Sequence, residues 1–286
     1  MRKAKRTISG RTVVISGAAS GMGRSLAQRL AAHGSPVAIS DIDEQGLKET
    51  AASISVPVLT RVLDVTDADA QLSWAQEVRD WTPTTVGAVF NNAGVTMASA
   101  VLGAIPEDDE WLWNIDFHGV VNGTRAFLPM LVEQNEGAIV NTSSVFGLAG
   151  MPNQSAYCAA KFAVRGYTES LRHELRGSGV TAVTVHPGGV NTNIVRNGKF
   201  RETQEGLGPD AQEQMAEEFA KSTMTTADKA AEIIHRGVEA GKTRILVGMD
   251  AKMLDLLTRI APTRYMDIML RFQAPINKAR QAGSAS

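Results

Sequence analysis

Short apolar runs alternate along this chain with longer stretches in which apolar residues return every three or four positions. The runs at Thr12–Ser16, Pro36–Ser40, Val58–Val62, Val86–Phe90, Ala138–Thr142, Val180–His186 and Arg244–Val247 are rich in Val, Ile and Thr, as buried strands are. Between them lie helical patterns, among them Arg24–Ala32 and a long segment from Asp108 to Gln134. Strand and helix taken in turn predict an α/β fold: a doubly wound, mainly parallel seven-stranded sheet with helices on both faces. No internal repeat, low-complexity stretch or interdomain linker interrupts the alternation. The expectation is one domain over residues 1–286, with a basic arm at 1–9, a core at 8–248 and an amphipathic tail at 249–286.

Two places along this pattern carry candidate chemistry. The first is Gly17-Ala18-Ala19-Ser20-Gly21-Met22-Gly23, which sits between the first strand and the first helix. Glycines there let the backbone turn tightly and approach a pyrophosphate, which then lies on the unpaired N–H groups of the helix N-terminus. Asp41 ends the second strand, where an acidic side chain can hold a ribose; it can equally cap the following helix, as can Asp43. Asp64-Val65 follows the third strand and reads either as part of the same site or as a helix start. The fourth strand delivers Asn91-Asn92-Ala93-Gly94 to the same sheet edge.

The second place is Tyr157-Cys158-Ala159-Ala160-Lys161, with Ser144 upstream. Four residues apart on a helix, Tyr157 and Lys161 share one face. A free phenol titrates near pH ~10, and bringing it to ~7 takes about 4 kcal/mol. One ammonium at ~4 Å, in an effective dielectric of ~20, supplies about that much. The pair is therefore predicted to move a proton at neutral pH, with Lys161 lowering the proton affinity of Tyr157.

Together, Gly17/Gly21/Gly23, Asn91-Asn92-Ala93-Gly94, Asn114, Ser144, Tyr157, Lys161 and Pro187-Gly188 resemble the short-chain dehydrogenase/reductase family, over roughly residues 8–248. The resemblance implies a Rossmann-type sheet and an NAD(P)-dependent oxidoreductase acting on CH–OH groups. It implies a catalytic set of Asn114, Ser144, Tyr157 and Lys161, in which Asn114 bends its helix and anchors a water leading to Lys161. An Asn inside a helix is unfavourable by propensity, which also asks for a reason. The resemblance implies that the glycine turn, with Ser20 and Met22, holds the pyrophosphate and that Asp64 and Val65 hold the adenine. Asn91, Ala93 and Gly94 would form the central wall, with Asn91 supporting its strand. Pro187, Gly188, Val190 and Thr192 match the family's P-G-x-x-x-T, whose Thr binds the carboxamide. Ser16 stands where the family usually has Thr, and Met22 where it usually has Ile or Leu.

Composition narrows the function further. Net charge is −1 among 286 residues, so no general attraction to nucleic acid is expected. The single cysteine, Cys158, excludes an intrachain disulfide and fits a reducing cytoplasm, and its place in the helix reads as buried packing. The five histidines lack metal-ligand spacing, and no apolar run is long enough to cross a membrane. A G-x-S-x-G elbow is absent, so hydrolase chemistry lacks its signature.

Asp41, with no Arg or Lys at positions 42 or 43, predicts NAD(H) over NADP(H). The loop after the fifth strand (Val145–Pro152) and the 190–225 segment offer apolar side chains and no basic cluster, so the expected substrate is a lipophilic secondary alcohol or ketone. Alternatives are an NADPH-dependent 3-ketoacyl-type reductase and a non-enzymatic nucleotide-binding scaffold. Gly198, Gly206 and Gly208 predict that 190–225 orders over bound ligand. In the tail, Met253, Leu256, Leu257 and Ile260 form a helical stripe, continued by Met266, Met269 and Leu270. That stripe is expected to pack on the protein as a lid or to join subunits of a homodimer or homotetramer, with a peripheral membrane contact as the lesser reading.

Overall fold

All seven predicted strands are present, displaced by at most one residue at either end. The computed structural model describes residues 7–201 and 209–271. In chain order the strands are β1 (Thr12–Ser16), β2 (Val37–Asp41), β3 (Val58–Val62), β4 (Val86–Asn91), β5 (Met97–Ser99), β6 (Gly137–Thr142), β7 (Val180–Pro187), β8 (Val190–Asn191), β9 (Lys199–Arg201), β10 (Thr225–Thr226) and β11 (Arg244–Val247). Seven of them form one sheet in the order β11-β7-β6-β4-β1-β2-β3, and every pairing is parallel.

Parallel neighbours need crossovers, and helices supply them: α1 (Gly21–Ala32), α2 (Glu44–Ala52), α3 (Ala68–Trp81), α4 (Pro106–Trp113), α5 (Gly119–Gln134), α6 (Ser155–Glu174), α7 (Pro209–Ser222) and α8 (Ala227–Glu239), with α9 (Met249–Ile260) following the last strand. Side chains alternate between two buried layers. Val13 and Ile15 join Leu26, Leu30, Ile234 and Val238 from α1 and α8 on one face. On the other, Val14 joins Trp74, Val78, Phe127, Leu131 and Leu171 from α3, α5 and α6. Because both faces of the sheet are covered, its strands read as continuous apolar runs rather than as alternation.

Strand order reverses between β1 and β4. In an open α/β sheet a ligand lies beyond the carboxyl ends of the strands at such a reversal. The join is tight: the Ser16 hydroxyl accepts from the Asn92 and Ala93 N–H groups at 3.1 and 3.2 Å, and the Asn92 amide donates to the Ser16 carbonyl at 3.2 Å.

The long helix expected from Asp108 to Gln134 is not uniform. Between α4 and α5, residues Asn114–His118 form a π-helical turn. Such a bulge turns side chains away from the face that regular spacing would give them, and it is often found at functional sites.

Candidate active site

Along the carboxyl ends of β1, β2 and β4 runs a cleft of about 670 Å³, walled by Gly17, Ser20, Gly21 and Met22, by Asp41, Asp64 and Val65, and by Ala93, Gly94, Asn114 and Thr192. Two glycines are there for backbone reasons. Gly17 has φ +67°, and a Cβ on it would lie 2.7 Å from the Ala93 Cα. Gly23 carries its missing Cβ against the Gly17 carbonyl, so it shapes the turn from behind. Ser20, the N-cap of α1, makes no capping hydrogen bond, which leaves the first N–H groups of that helix facing the cleft uncapped.

Asp41 reaches the cleft with both oxygens already accepting: Oδ2 from the Ala19 N–H at 2.9 Å and Oδ1 from the Asp43 N–H at 3.1 Å. The capping role belongs to Asp43, whose Oδ1 accepts from the Gly46 N–H at 3.0 Å. Arg24, from α1, is engaged by Glu49, Thr50 and the Ala19 carbonyl. These features fit a nicotinamide dinucleotide: a glycine turn for the pyrophosphate, uncapped helix N–H groups, and a carboxylate at the ribose end.

Several predicted residues stand behind the wall. Asn91 donates to Asn141 Oδ1 at 2.8 Å and to Thr124 Oγ1 at 3.1 Å, and Asn141 donates on to Thr168 at 3.0 Å. This buried polar chain ties β4 to β6, α5 and α6 beneath the cleft. Val190 packs into the core, and Gly188 meets the Asp250 carboxylate from α9. The same carboxylate accepts from the Gly189 N–H at 2.6 Å, so the start of α9 props the loop that carries Thr192.

At the other rim, Tyr157 and Lys161 from α6 are both buried, and the Lys161 Nζ lies 5.5 Å from the centre of the Tyr157 ring. The Ser144 hydroxyl, just past the end of β6, accepts from the Phe146 N–H at 3.1 Å and acts on the Tyr157 phenol to lower its proton affinity. Ser143 plays a different part: its hydroxyl donates to the Lys161 carbonyl at 2.7 Å and anchors α6. The structure thus brings Ser144, Tyr157 and Lys161 together. Asn114 stands apart on the cleft wall. The side chain that meets Lys161 is Asp116, from the π-helical turn, with Oδ2 at 3.1 Å from Nζ.

Asp116 is fully buried, and its Oδ1 accepts from the Val95 N–H at 2.8 Å. Burial pushes its carboxyl up, opposed by the Lys161 charge and the Val95 hydrogen bond. Burial acts on Lys161 in the opposite sense, but the charges of Asp116 and Tyr157 outweigh it and hold the ammonium protonated. For Tyr157, burial and the Asp116 charge outweigh Lys161 and Ser144, and the phenol is pushed up. This corrects the expectation that Lys161 alone brings the phenol toward neutrality. Burial is the larger opposing cause, and the Asp116 charge adds to it.

Sequence reasoning passed over two residues here. Asp116 has only apolar or small neighbours one helical turn away (Leu112, Trp113, Gly119 and Val120), so a carboxylate there needs a partner from elsewhere; that was the available signal. His186, just before Pro187, is fully buried. Its Nδ1–H donates to the Ser144 carbonyl at 3.0 Å, while Nε2 has no partner among the described residues. Burial lowers its pKa to about 4, so the ring is neutral.

Apolar side chains surround the phenol: Met97, Leu112 and Ala160 are buried with it, and Trp111 and Phe146 pack against them. Over this pocket β9 pairs with β5. Lys199 and Arg201 of β9 bind Asp108 at 2.7 and 2.8 Å, and Lys199 lies 4.3 Å above the Trp111 ring. The part of 190–225 around Gly198 is therefore held down, whereas Gly206 and Gly208 lie outside the described residues.

The tail stripe is divided: Met269 packs on the cluster beside the loop after β6, and Leu257 and Met266 are half-buried. Ala251 and Leu254 are buried against Val145 and Ala149, and the Tyr265 hydroxyl accepts from the Gly150 N–H at 3.0 Å. Met249, Met253, Leu256 and Ile260 face outward, between 58% and 71% exposed. Cys158 is buried in α6. Among the described residues no group of His, Cys, Asp or Glu is placed to hold a metal, and no helix is long and apolar enough to cross a membrane.

Fold and site together define a dinucleotide-dependent oxidoreductase. The family model described as short chain dehydrogenase matches residues 11–205, and the chain belongs to that family. SadH of Mycobacterium tuberculosis is 39% identical over 269 residues, covering 92% of this chain and 95% of its own. Levodione reductase of Leifsonia aquatica is 33% identical over 215 residues, 73% of this chain and 78% of its own. Among solved structures, a short-chain dehydrogenase/reductase from Burkholderia phymatum in complex with NAD superposes with TM-score 0.81 at 28% identity, covering 92% of this chain and 96% of that one.

Proposed function

We propose that this chain transfers hydride between NAD(H) and a lipophilic secondary alcohol or ketone, with Tyr157 as acid and base. The observation that carries the reading is the buried phenol: Lys161 lies beside it, Ser144 acts on it, and Met97, Leu112, Trp111 and Phe146 enclose it. A bound nicotinamide supplies or accepts the hydride at its ring, and the protein supplies everything around that event.

Each residue then has a task. Tyr157 exchanges the hydroxyl proton of the substrate. Ser144 hydrogen-bonds the substrate oxygen as charge develops on it. Lys161 stabilises the phenolate when it forms and holds the nicotinamide ribose. The glycine turn and α1 take the pyrophosphate, Asp64 and Val65 border the adenine, and Thr192 takes the carboxamide. Apolar walls select a lipophilic substrate because the basic residues of the covering segment are engaged elsewhere: Lys199 and Arg201 by Asp108, and Arg196 by Glu213. Asp41 favours NAD(H), because a 2′-phosphate beside its carboxylate would meet like charge while Arg24 is turned to Glu49. The outward stripe of α9 suits a contact with a second copy in a homo-oligomer, and a lone cysteine suits the cytoplasm.

Tyr157→Phe tests the reading. It keeps the ring and its packing and removes the proton carrier, so turnover should fall by at least ~10²-fold while NADH affinity stays within a few-fold. A variant that keeps more than about a tenth of wild-type turnover would remove Tyr157 from the chemistry.

A further inference from the structure

Ser144 is held by three hydrogen bonds. Two are local: its hydroxyl accepts from the Phe146 N–H at 3.1 Å, and its carbonyl accepts from the Gly147 N–H at 3.0 Å. The third comes from 42 residues away, where the His186 Nδ1–H donates to the same carbonyl at 3.0 Å. The backbone ladder between β6 and β7 stops just short of this point, with the Ser143 N–H donating to the Val185 carbonyl at 2.8 Å. The fully buried His186 ring therefore continues the ladder with a side chain where the two strands part.

A neutral imidazole that donates through Nδ1 must accept through Nε2. Its surroundings suit that tautomer. Thr184 lies two residues earlier on β7, on the same face, and is the register partner of Arg244 on β11. Val183 and Val185 pack into the opposite layer. His186 Nε2, Thr184 Oγ1 and Arg244 Nε are all buried without a partner among the described residues, and the latter two can both donate. The charged groups that face the ring are Arg244 on β11, Arg165 on α6 and Asp255 on α9. Burial, helped by the two guanidinium charges, keeps the ring neutral against the pull of the Ser144 carbonyl and Asp255.

We propose that His186 is a positioning residue whose Nδ1–H fixes the Ser144 carbonyl and thereby sets the Ser144 hydroxyl relative to the Tyr157 phenol and the substrate oxygen. The inference rests on the functional reading above, in which Ser144 and Tyr157 act on that oxygen together. His186 itself is shut away from the cleft and acts only through Ser144. Pro187 and Gly188 follow it directly and open the loop that carries Thr192. One strand end thus fixes both the catalytic hydroxyl and the start of the cofactor loop.

His186→Leu removes the donor and keeps an apolar side chain in the space, and the Ser144 carbonyl still has the Gly147 N–H. Its kcat for ketone reduction should fall about tenfold or more, while KM and NADH affinity stay within a few-fold. His186→Asn places an amide donor where Nδ1–H stood and should recover most of the lost kcat. A second readout needs no cofactor or turnover. Ultraviolet difference titration follows tyrosinate, and the Tyr157→Phe protein identifies the signal among the three tyrosines of the chain. Because Ser144 lowers the proton affinity of the phenol, the Tyr157 midpoint should rise by about half a unit or more in His186→Leu and return in His186→Asn. A folded His186→Leu protein with wild-type kcat or an unmoved midpoint overturns the proposal, as does a His186→Asn protein no more active than it. If His186→Leu does not fold, nitrogen-15 spectra of the wild-type imidazoles decide, with His186→Asn identifying the signal among the five histidines. An Nδ1–H tautomer near neutral pH supports the proposal, and an Nε2–H tautomer overturns it. If Tyr157→Phe retains turnover, the functional reading falls, but the tautomer and the midpoint still report whether His186 sets Ser144 against the phenol.

Discussion

The two rims of the cleft are built from different materials. On the cofactor side, at the ends of β1, β2 and β4, the working parts are backbone: a glycine turn, uncapped N–H groups, the Asn92 N–H held by the Ser16 hydroxyl and the Ser16 carbonyl held by the Asn92 amide. On the catalytic side they are side chains, several of them charged or polar and nearly all buried, brought from α6, the π-helical turn and the ends of β6 and β7. A backbone site depends on what is missing, the Cβ atoms. A charge-built site depends on balances among groups far apart in sequence. The first fails by steric collision and the second by an altered proton affinity, so the two should be separable by experiment.

The sharpest separation comes from Gly23→Ala. The added methyl would meet the Gly17 carbonyl, and the turn must open to admit it. Overpacking of this kind costs ~1–3 kcal/mol. Expressed in cofactor affinity, that is about a ten- to hundredfold loss. Calorimetric titration with NADH should show it, while the tyrosinate titration of Tyr157 stays where it is in the wild type. A Gly23→Ala protein that binds NADH normally would mean that the turn tolerates a side chain and that the cofactor rim is not backbone-built in the sense argued here.

Acid should act on the other rim. His186 is neutral in the folded protein with a pKa of about 4 and titrates near 6.5 when unfolded. Between these values the unfolded chain binds the extra proton, so stability rises with pH across the window. The contribution is fully present above ~6.5 and is lost as pH falls toward 4, amounting to roughly 2 kcal/mol by pH 5. Urea unfolding near neutrality and near pH 5 measures it. His186→Asn, which can still donate to the Ser144 carbonyl, should flatten the difference; an unchanged pH slope would mean that His186 is not the group responsible.

These contrasts follow what could be read from the sequence. The strands were legible because each is a short apolar run covered on both faces, and the glycine turn because its parts are adjacent in the chain. Ser144, Tyr157 and Lys161 were legible through family spacing. Asp116 was not, because the π-helical turn that aims it inward leaves no mark in a regular helical pattern, and reading 108–134 as uniform helix favoured Asn114. The raised phenol escaped because Lys161 was weighed without the burial of the ring, the larger effect, and without the Asp116 counter-ion. The division of the α9 stripe was not legible because periodicity shows that a helix has an apolar stripe but not what covers it; here the helix's contacts with its own chain are made by Ala251 and Leu254.

Cofactor choice tests a place where the backbone rim uses a charge. Each like-charge pair between Asp41 and a 2′-phosphate, at ~5 Å and an effective dielectric of ~20, costs about 3 kcal/mol before salt screening. Asp41→Asn keeps an acceptor for the Ala19 N–H and removes the charge. The ratio of kcat/KM for NADH over NADPH should fall about tenfold once screening is allowed for. Equal use of both cofactors by the wild type would overturn the NAD assignment and return Asp41 to a purely structural role at the turn.

The smallest effect expected is at the join between the tail and the cofactor rim. Asp250, at the start of α9, accepts from the Gly189 N–H at 2.6 Å and occupies the room left by the absent side chain of Gly188. It therefore supports the loop leading to Thr192 without touching the cleft itself. Loss of one such hydrogen bond costs ~1 kcal/mol, so Asp250→Ala should weaken NADH binding about fivefold and leave the Tyr157 titration unmoved. Truncation after Gly248 removes the same prop together with the outward stripe of Met249, Met253, Leu256 and Ile260, and sedimentation should then report a smaller assembly. If Asp250→Ala reproduces the affinity loss without the change in assembly, the tail has two separable tasks, one directed at the cofactor loop and one at a second copy. If truncation changes neither, α9 is an appendage, and the backbone rim holds its shape from the sheet alone.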